Sequence, residues 1–292
     1  MKKLKGTGVA IITPFKNDMS IDFTAFGKVV NHVINGGVNY IVVMGTTGES
    51  VTLTRDEKKA VISYIQETID GRVPLVVGIG GNNTQEVINQ IRATDFTGVD
   101  AILSVSPYYN KPSQRGIFQH FKAIATGSPV PVIIYNVPGR TGSNISADTC
   151  LQLATECENI IGVKEASGNF EQIMKIIKGK PENFLVISGD DMNTLPIIAA
   201  GGSGVISVIA NAFPADWSEM VNQALKSNFK AAREIQFKYM EMLELLFTDG
   251  SPAGVKAMLN TLNLCQNTLR LPLVPVSRTI LSRIQKAVEE VR

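Results

Sequence analysis

The stretch NIIGVKEASGN, residues 159–169, is an apolar run typical of a buried strand, and it contains one lysine, Lys164. Runs of the same kind occur throughout the chain and begin near residues 8, 40, 74, 101, 131, 160, 184 and 204. They are nearly continuous in hydrophobicity and do not alternate, which is typical of strands covered on both faces. The chain is therefore predicted to form a parallel sheet of eight strands.

Segments with helical periodicity lie between these runs, and several begin at helix-capping residues. Asp22 precedes one such segment, and Thr54 with Glu57 has the pattern of a capping box. Unbroken alternation of strand and helix favours a closed (β/α)8 barrel over an open doubly wound sheet. We predict an α/β protein with a TIM barrel over residues 1–225 and a C-terminal helical region over residues 226–292.

Composition limits the class of partner. The chain has 292 residues, of which 44% are hydrophobic, and a net charge of +2 with dispersed charged residues. We therefore expect a globular protein with a small-molecule partner and without nucleic acid or a membrane surface. The apolar segment near the N-terminus ends at Pro14, too early for a secretory signal, and no apolar run is long enough to span a bilayer. Three cysteines without CxxC spacing favour a reducing compartment, so we expect a cytoplasmic location.

The loops that follow the strands hold the candidate functional residues, because TIM-barrel enzymes react at the carboxyl ends of their strands. Lys164 lies in this layer, near the end of the sixth run. The other candidates carry a hydroxyl or a guanidinium group, and they are Thr46, Thr47, Tyr108, Tyr109, Tyr135 and Arg140.

Other motifs predict ordinary structural roles. GIGGNN, residues 78–83, lacks the third glycine of a dinucleotide fingerprint and is better explained as the start of a helix. SGDD, residues 188–191, has no companion ligands at metal-binding spacing, so we predict a turn and a helix cap and no metal. His32 and His120 fall inside helical segments, where packing or surface roles are expected.

A lysine in a buried strand needs a route to solvent or a chemical use, because a charged ammonium group is costly in an apolar interior. Lys164 shares one face of its strand with Gly162 and Ala166, whose small size leaves room for a ligand. Burial would lower its pKa and supply a neutral amine that forms a Schiff base with a ketone, while tyrosine hydroxyls transfer protons. The residues alone are also compatible with a structural explanation. In that case Lys164 lies at the rim of the barrel and extends its charged group to water, and the tyrosines only pack against their neighbours.

Five motifs occur along the chain in the order GTTGES, SPYYNKPSQRG, YNVPGRTG, GVKEASGN and SGDD. With them, essentially the whole chain resembles the dihydrodipicolinate synthase family, within the pyruvate-dependent class I aldolases that also contain N-acetylneuraminate lyase. The resemblance implies condensation of pyruvate with L-aspartate 4-semialdehyde through a lysine Schiff base. The implied product is 4-hydroxy-tetrahydrodipicolinate, in diaminopimelate and lysine biosynthesis, and no separate cofactor is implied.

The resemblance also implies the catalytic roles. Lys164 would form the imine with pyruvate, and Tyr135 would act beside it as general acid and base. Thr46 would link Tyr135 to Tyr109 of the partner subunit in a proton relay. The implied assembly is a homotetramer built as a dimer of dimers.

Substrate contacts are implied in the same way. Thr47 would contact the pyruvate carboxylate, Arg140 would hold the carboxylate of the second substrate, and the backbones of Gly189 and Ile206 would line the pocket. The carboxylate-binding Arg140 argues against a sister activity such as cleavage of N-acetylneuraminate, which needs contacts to a polyol. A further alternative is a barrel that binds a keto acid without catalysis.

Members of the family that are inhibited by lysine bind it at a dimer interface. The matching positions in this chain are Ser50, Arg55, Lys58, Asn82, Glu86 and Tyr108. Arg55 and Lys58 stand where histidines occur in a lysine-sensitive form, and two cations would repel the ammonium groups of the ligand. The same two residues are also explained as the first turn of a solvated helix. We expect weak or absent inhibition by L-lysine.

Overall fold

The computed structural model describes residues 2–291, and these contain a closed barrel of eight parallel strands. The predicted TIM barrel is confirmed, and every strand begins within two residues of its predicted position. The strands are β1 (Gly6–Ala10), β2 (Tyr40–Val43), β3 (Leu75–Gly78), β4 (Ala101–Val105), β5 (Val132–Asn136), β6 (Ile160–Glu165), β7 (Leu185–Ser188) and β8 (Gly204–Ser207).

Helices cover the outside of the barrel and separate the strands. They are α1 (Phe23–Asn35), α2 (Arg55–Ile69), α3 (Thr84–Arg92), α4 (Gln114–Gly127), α5 (Pro138–Thr141), α6 (Ala147–Glu156), α7 (Phe170–Gly179), α8 (Thr194–Ala199) and α9 (Pro214–Leu225). Short 3₁₀ helices occur at Lys2–Leu4, Ser50–Thr52 and Ile209–Asn211.

The predicted helix starts are present. The Asp22 carboxylate accepts a hydrogen bond from the backbone of Ala25 at 2.9 Å, and Thr54 with Glu57 forms the predicted capping box. Such caps satisfy backbone N–H groups that have no partner inside the helix. Within residues 2–291, every helix is too short or too polar to be a membrane span.

Closure of the barrel depends on two glycines at the bottom of the first and last strands. Gly204 has φ of +137° and pairs with Gly6, and a Cβ on Gly204 would overlap the Gly6 backbone. Only glycine adopts this conformation without strain and permits such an approach.

The C-terminal region is helical, as predicted, and consists of α10 (Phe229–Lys238), α11 (Met240–Thr248), α12 (Ala253–Thr261) and α13 (Arg278–Val291). The chain turns at Tyr239, which separates α10 from α11. Tyr239 is buried, packs against Trp217 and donates a hydrogen bond to Asp216 at 2.6 Å. These contacts attach the turn to α9.

Candidate active site

Lys164 and Tyr135 lie side by side at the carboxyl ends of β6 and β5. The two residues are directly opposite in the strand register, and the Lys164 Nζ is 4.3 Å from the centre of the Tyr135 ring. Both side chains are buried, with 6% and 8% of their surface exposed. Lys164 is also opposite Ile187 of β7, whose side chain belongs to the apolar cluster inside the barrel. The lysine therefore points into the barrel interior.

Burial controls the protonation of this pair. It lowers the pKa of Lys164 to about 8, an effect that the Asp191 carboxylate opposes and the Arg140 cation reinforces. Burial also raises the pKa of Tyr135 to about 12, against the influence of Arg140. Near neutral pH, Lys164 thus carries an accessible fraction of neutral amine beside a protonated phenol.

Glu165, the next residue on β6, points away from Lys164 and is almost fully buried. Its carboxylate accepts hydrogen bonds from Asn136 at 3.1 Å, from Gln172 at 3.0 Å and from the backbone of Ser167 at 2.7 Å. This network fixes the ends of β5 and β6, where Tyr135 and Lys164 are located. The sequence shows that a carboxylate directly follows the buried lysine. It does not show the network, because the amide partners of Glu165 lie on other elements.

Gly189 follows β7 and has no side chain beside Lys164. A Cβ at this position would lie 2.7 Å from the Cβ of Ala166 and 3.1 Å from Cε of Lys164. Ile206, on β8, is buried in the cluster inside the barrel. Both predicted pocket positions are therefore on the inner side of the barrel, and Gly189 leaves the space that Lys164 occupies.

Asp191 is a buried carboxylate near the site whose role the sequence prediction missed. Its Oδ2 accepts hydrogen bonds from the backbone N–H groups of Val208 and Ile209, at 2.8 and 3.0 Å, while Oδ1 is buried without a partner. Burial raises its pKa. The helix cap predicted for SGDD is wrong, because α8 begins after Asn193. Asp191 instead joins the loop after β7 to the loop after β8.

A tight turn after β2 presents the two predicted threonines. Hydrogen bonds from Gly48 N–H to the Gly45 carbonyl and from Glu49 N–H to the Thr46 carbonyl, both 3.1 Å, define this turn. Thr46 is exposed at the carboxyl end of the barrel, whereas Thr47 is buried. We call residues 45–49 the β2 turn.

Tyr109 and Arg140 lie on exposed parts of the same face. Tyr109 has 87% of its surface exposed and adopts a left-handed backbone conformation, with φ of 71°. Arg140 is exposed on the short helix α5, five residues after Tyr135. The single chain thus brings Lys164 and Tyr135 together and leaves Tyr109 in solvent.

The predicted regulatory positions lie after β2, β3 and β4, partly on loops and partly in the first turns of helices. Asn82 donates a hydrogen bond to the Tyr108 carbonyl at 3.1 Å, which joins the loops after β3 and β4. Ser50 begins a 3₁₀ helix and Arg55 is the exposed first residue of α2, with Lys58 one turn later and half-buried. Glu86 is exposed in the first turn of α3.

The chain matches the model of the Dihydrodipicolinate synthetase family over residues 3–291. The chain belongs to this family. A relative named 4-hydroxy-tetrahydrodipicolinate synthase, from Flavobacterium psychrophilum, is 53% identical over 284 residues, 97% of this chain and 97% of that protein. The resemblance predicted from the five motifs is confirmed.

Solved structures of dihydrodipicolinate synthases share the fold at full length. The Aquifex aeolicus enzyme is 40% identical and superimposes with a TM-score of 0.95, covering 99% of this chain and 98% of its own. A structure described as the first monomeric dihydrodipicolinate synthase variant is 36% identical, with a TM-score of 0.96, and covers 99% of this chain and 97% of its own. The family is therefore matched by both sequence and fold.

Proposed function

We propose that this member of the family condenses pyruvate with L-aspartate 4-semialdehyde to give 4-hydroxy-tetrahydrodipicolinate, through a Schiff base on Lys164. The observation that carries the proposal is the burial of Lys164 beside Tyr135 at the carboxyl end of the barrel. A lysine with a lowered pKa is the nucleophile that such chemistry requires. Relatives named 4-hydroxy-tetrahydrodipicolinate synthase support the same product. We assign the reaction to lysine and diaminopimelate biosynthesis.

The reaction begins when the neutral amine of Lys164 attacks the ketone carbon of pyruvate. Loss of water from the resulting carbinolamine leaves a cationic iminium, and Tyr135 donates the proton that the departing hydroxyl group needs. The iminium withdraws electrons, so the pyruvate methyl group loses a proton to the Tyr135 phenolate left by that donation, and an enamine forms. The enamine carbon attacks the aldehyde of the second substrate, and the amine of that substrate then displaces Lys164 as the ring closes.

Tyr135 suits this proton transfer because its raised pKa keeps the phenol protonated at neutral pH. We propose that Thr46 links it to Tyr109 of the partner subunit, which returns the proton to solvent. The exposure and left-handed backbone of Tyr109 support a role outside its own barrel, since non-glycine residues adopt this conformation at a cost.

The substrate carboxylates are assigned to two groups. We propose that the Thr47 hydroxyl, with backbone amides of the β2 turn, binds the carboxylate of pyruvate. Arg140 binds the carboxylate of the semialdehyde, where a guanidinium group gives bidentate recognition. Gly189 and Ile206 line the pocket through their backbones.

We also propose a homotetramer, a dimer of dimers, in a cytoplasmic setting. The exposed Tyr109 supports at least a dimer, because the proposed relay needs a tyrosine from a second copy. One family structure is described as a monomeric variant, so assembly is a property to be measured for each member.

Reduction with borohydride in the presence of pyruvate tests the proposal. We expect a single reduced pyruvyl group on Lys164 and loss of activity, and no labelling of Lys164→Ala. Absence of label, or label on Lys256, which is also buried, would overturn the assignment. Turnover with N-acetylmannosamine as acceptor instead of the semialdehyde would point to the sister lyase activity.

A further inference from the structure

A fully buried ion pair connects the C-terminal region to the β2 turn. Lys256, on α12, lies 2.5 Å from the carboxylate of Glu49, and neither side chain has any exposed surface. Lys256 also donates a hydrogen bond to the Thr268 carbonyl at 2.8 Å. The proposed mechanism uses neither residue, yet an isolated buried charge would be very costly, so each ion depends on the other.

Glu49 is the last residue of the β2 turn. Its backbone has φ of 51°, in the left-handed region, so the turn is not a conformation that the local sequence favours. The second oxygen of the Glu49 carboxylate accepts the backbone N–H of Arg270 at 3.1 Å. The turn that presents Thr46 and Thr47 is therefore held by α12 on one side and by the segment after it on the other.

Aromatic and cationic contacts extend the same attachment to the loop after β1. The Phe15 ring contacts two cations, with its centre 4.3 Å from the Lys256 Nζ and 4.5 Å from the Arg270 guanidinium carbon. Arg270 forms two hydrogen bonds with the Glu57 carboxylate, at 2.5 and 2.8 Å, and a third with the Thr52 carbonyl at 2.9 Å. One C-terminal segment thus fixes the loops after both β1 and β2.

We infer that Lys256 and Glu49 are positioning residues for the reaction, which hold the β2 turn so that Thr46 and Thr47 meet the substrate. The inference rests on the proposed function for the identity of the substrate, but not for the effect on the turn. It assigns the C-terminal helical region a part in catalysis, although none of the proposed catalytic residues lies in that region. An ion pair that only stabilises the fold would affect the amount of folded enzyme and leave the KM of the folded enzyme unchanged.

The test compares Lys256→Met with Lys238→Met. Lys238 is matched as a control because it also lies in the C-terminal region and forms an ion pair, with Asp216 at 3.0 Å, but it is exposed. For Lys256→Met we expect the KM for pyruvate to rise about tenfold and kcat to fall, together with faster amide hydrogen exchange in residues 44–54. Lys238→Met should match the wild type in all three.

A double-mutant cycle tests whether Lys256 acts through Thr47. Thr47→Val alone should raise the KM for pyruvate, and adding Lys256→Met should raise it little further, because both changes remove the same contact. Fully additive effects, or an unchanged KM and unchanged exchange in Lys256→Met, would overturn the inference.

A second variant and the exchange measurement distinguish failure of this inference from failure of the proposed function. If Lys256→Met does not fold, because it leaves the Glu49 carboxylate buried and unpaired, the double variant Glu49→Gln/Lys256→Met is measured in its place, with the same expected rise in KM. Hydrogen exchange needs no substrate. Wild-type protein that fails to condense pyruvate with the semialdehyde would refute the proposed function, while faster exchange in residues 44–54 would still support the positioning of the turn.

Discussion

The Nζ of Lys164 lies 4.3 Å from the ring centre of Tyr135, and the two residues are opposite one another on neighbouring parallel strands. The register of β5 and β6 therefore sets the distance between the proposed nucleophile and the proposed acid. Because both residues are inside the barrel, their separation does not depend on a mobile loop.

Imine formation should depend on the ionisation of Lys164. The neutral amine is the nucleophile, so kcat/KM for pyruvate should rise with pH up to about pH 8 and then level, following the lysine pKa.

Arg140 lowers the pKa of Lys164, so Arg140→Ala should move the rising limb of this pH profile to higher pH. The variant should also impair use of the semialdehyde far more than imine trapping with pyruvate. Equal loss of both, with an unmoved limb, would make Arg140 a structural residue.

Loss of the Tyr135 hydroxyl should slow proton transfer without removing the nucleophile. We expect Tyr135→Phe to lower kcat by roughly 10²- to 10⁴-fold, while slow trapping of pyruvate on Lys164 persists. Tyr40→Phe is a matched control, since Tyr40 is also buried inside the barrel and its hydroxyl makes only a long contact of 3.5 Å, to the Val205 carbonyl. Steady-state kinetics measure both variants. An equal fall in kcat for Tyr135→Phe and Tyr40→Phe would contradict the role of Tyr135 as the acid.

Gly189→Ala should displace Lys164, because the new methyl group would meet Ala166 and the lysine side chain. We expect trapping of pyruvate to fall by at least about tenfold, with the protein still folded. Gly127→Ala is the control, since its Cβ would make only ordinary contacts of 3.6 Å with Ile88. Normal trapping in Gly189→Ala would show that the pocket tolerates the methyl group.

L-Lysine should inhibit weakly or not at all up to millimolar concentrations, because Arg55 and Lys58 add positive charge to the predicted regulatory site. Replacing both by histidine should increase sensitivity to lysine by about tenfold or more, whereas Lys59→His, an exposed neighbour on α2, should not. Initial rates at increasing lysine concentration measure the effect. Strong inhibition of the wild type at submillimolar lysine would disprove the expectation.

Activity should depend on assembly, since the proposed relay takes Tyr109 from the partner subunit. Tyr109→Phe should lower kcat while the oligomeric state, measured by sedimentation, stays the same. A fully active monomer of the wild-type chain would contradict the relay.

The sequence predicted the barrel because its eight apolar runs and helix caps are local signals, and each strand lies where its run lies. It also indicated Lys164, since a lysine in such a run is conspicuous. The roles of Asp191 and Glu165 were beyond reach, because their partners are backbone amides and side chains of other elements. For the same reason, the pairing of Lys256 with Glu49 had no sequence signal: the two lie on separate elements far apart in the chain.

The attachment of the β2 turn to α12 also bears on the order in which the enzyme matures. A nascent chain that has emerged only as far as residue 225 already contains all eight strands, but Glu49 still lacks its cation and Phe15 both of its cationic neighbours. Synthesis runs from the N-terminus, so Lys256 and Arg270 are added long after the loops that they contact. The eight strands are thus synthesised before the residues that hold the β2 turn.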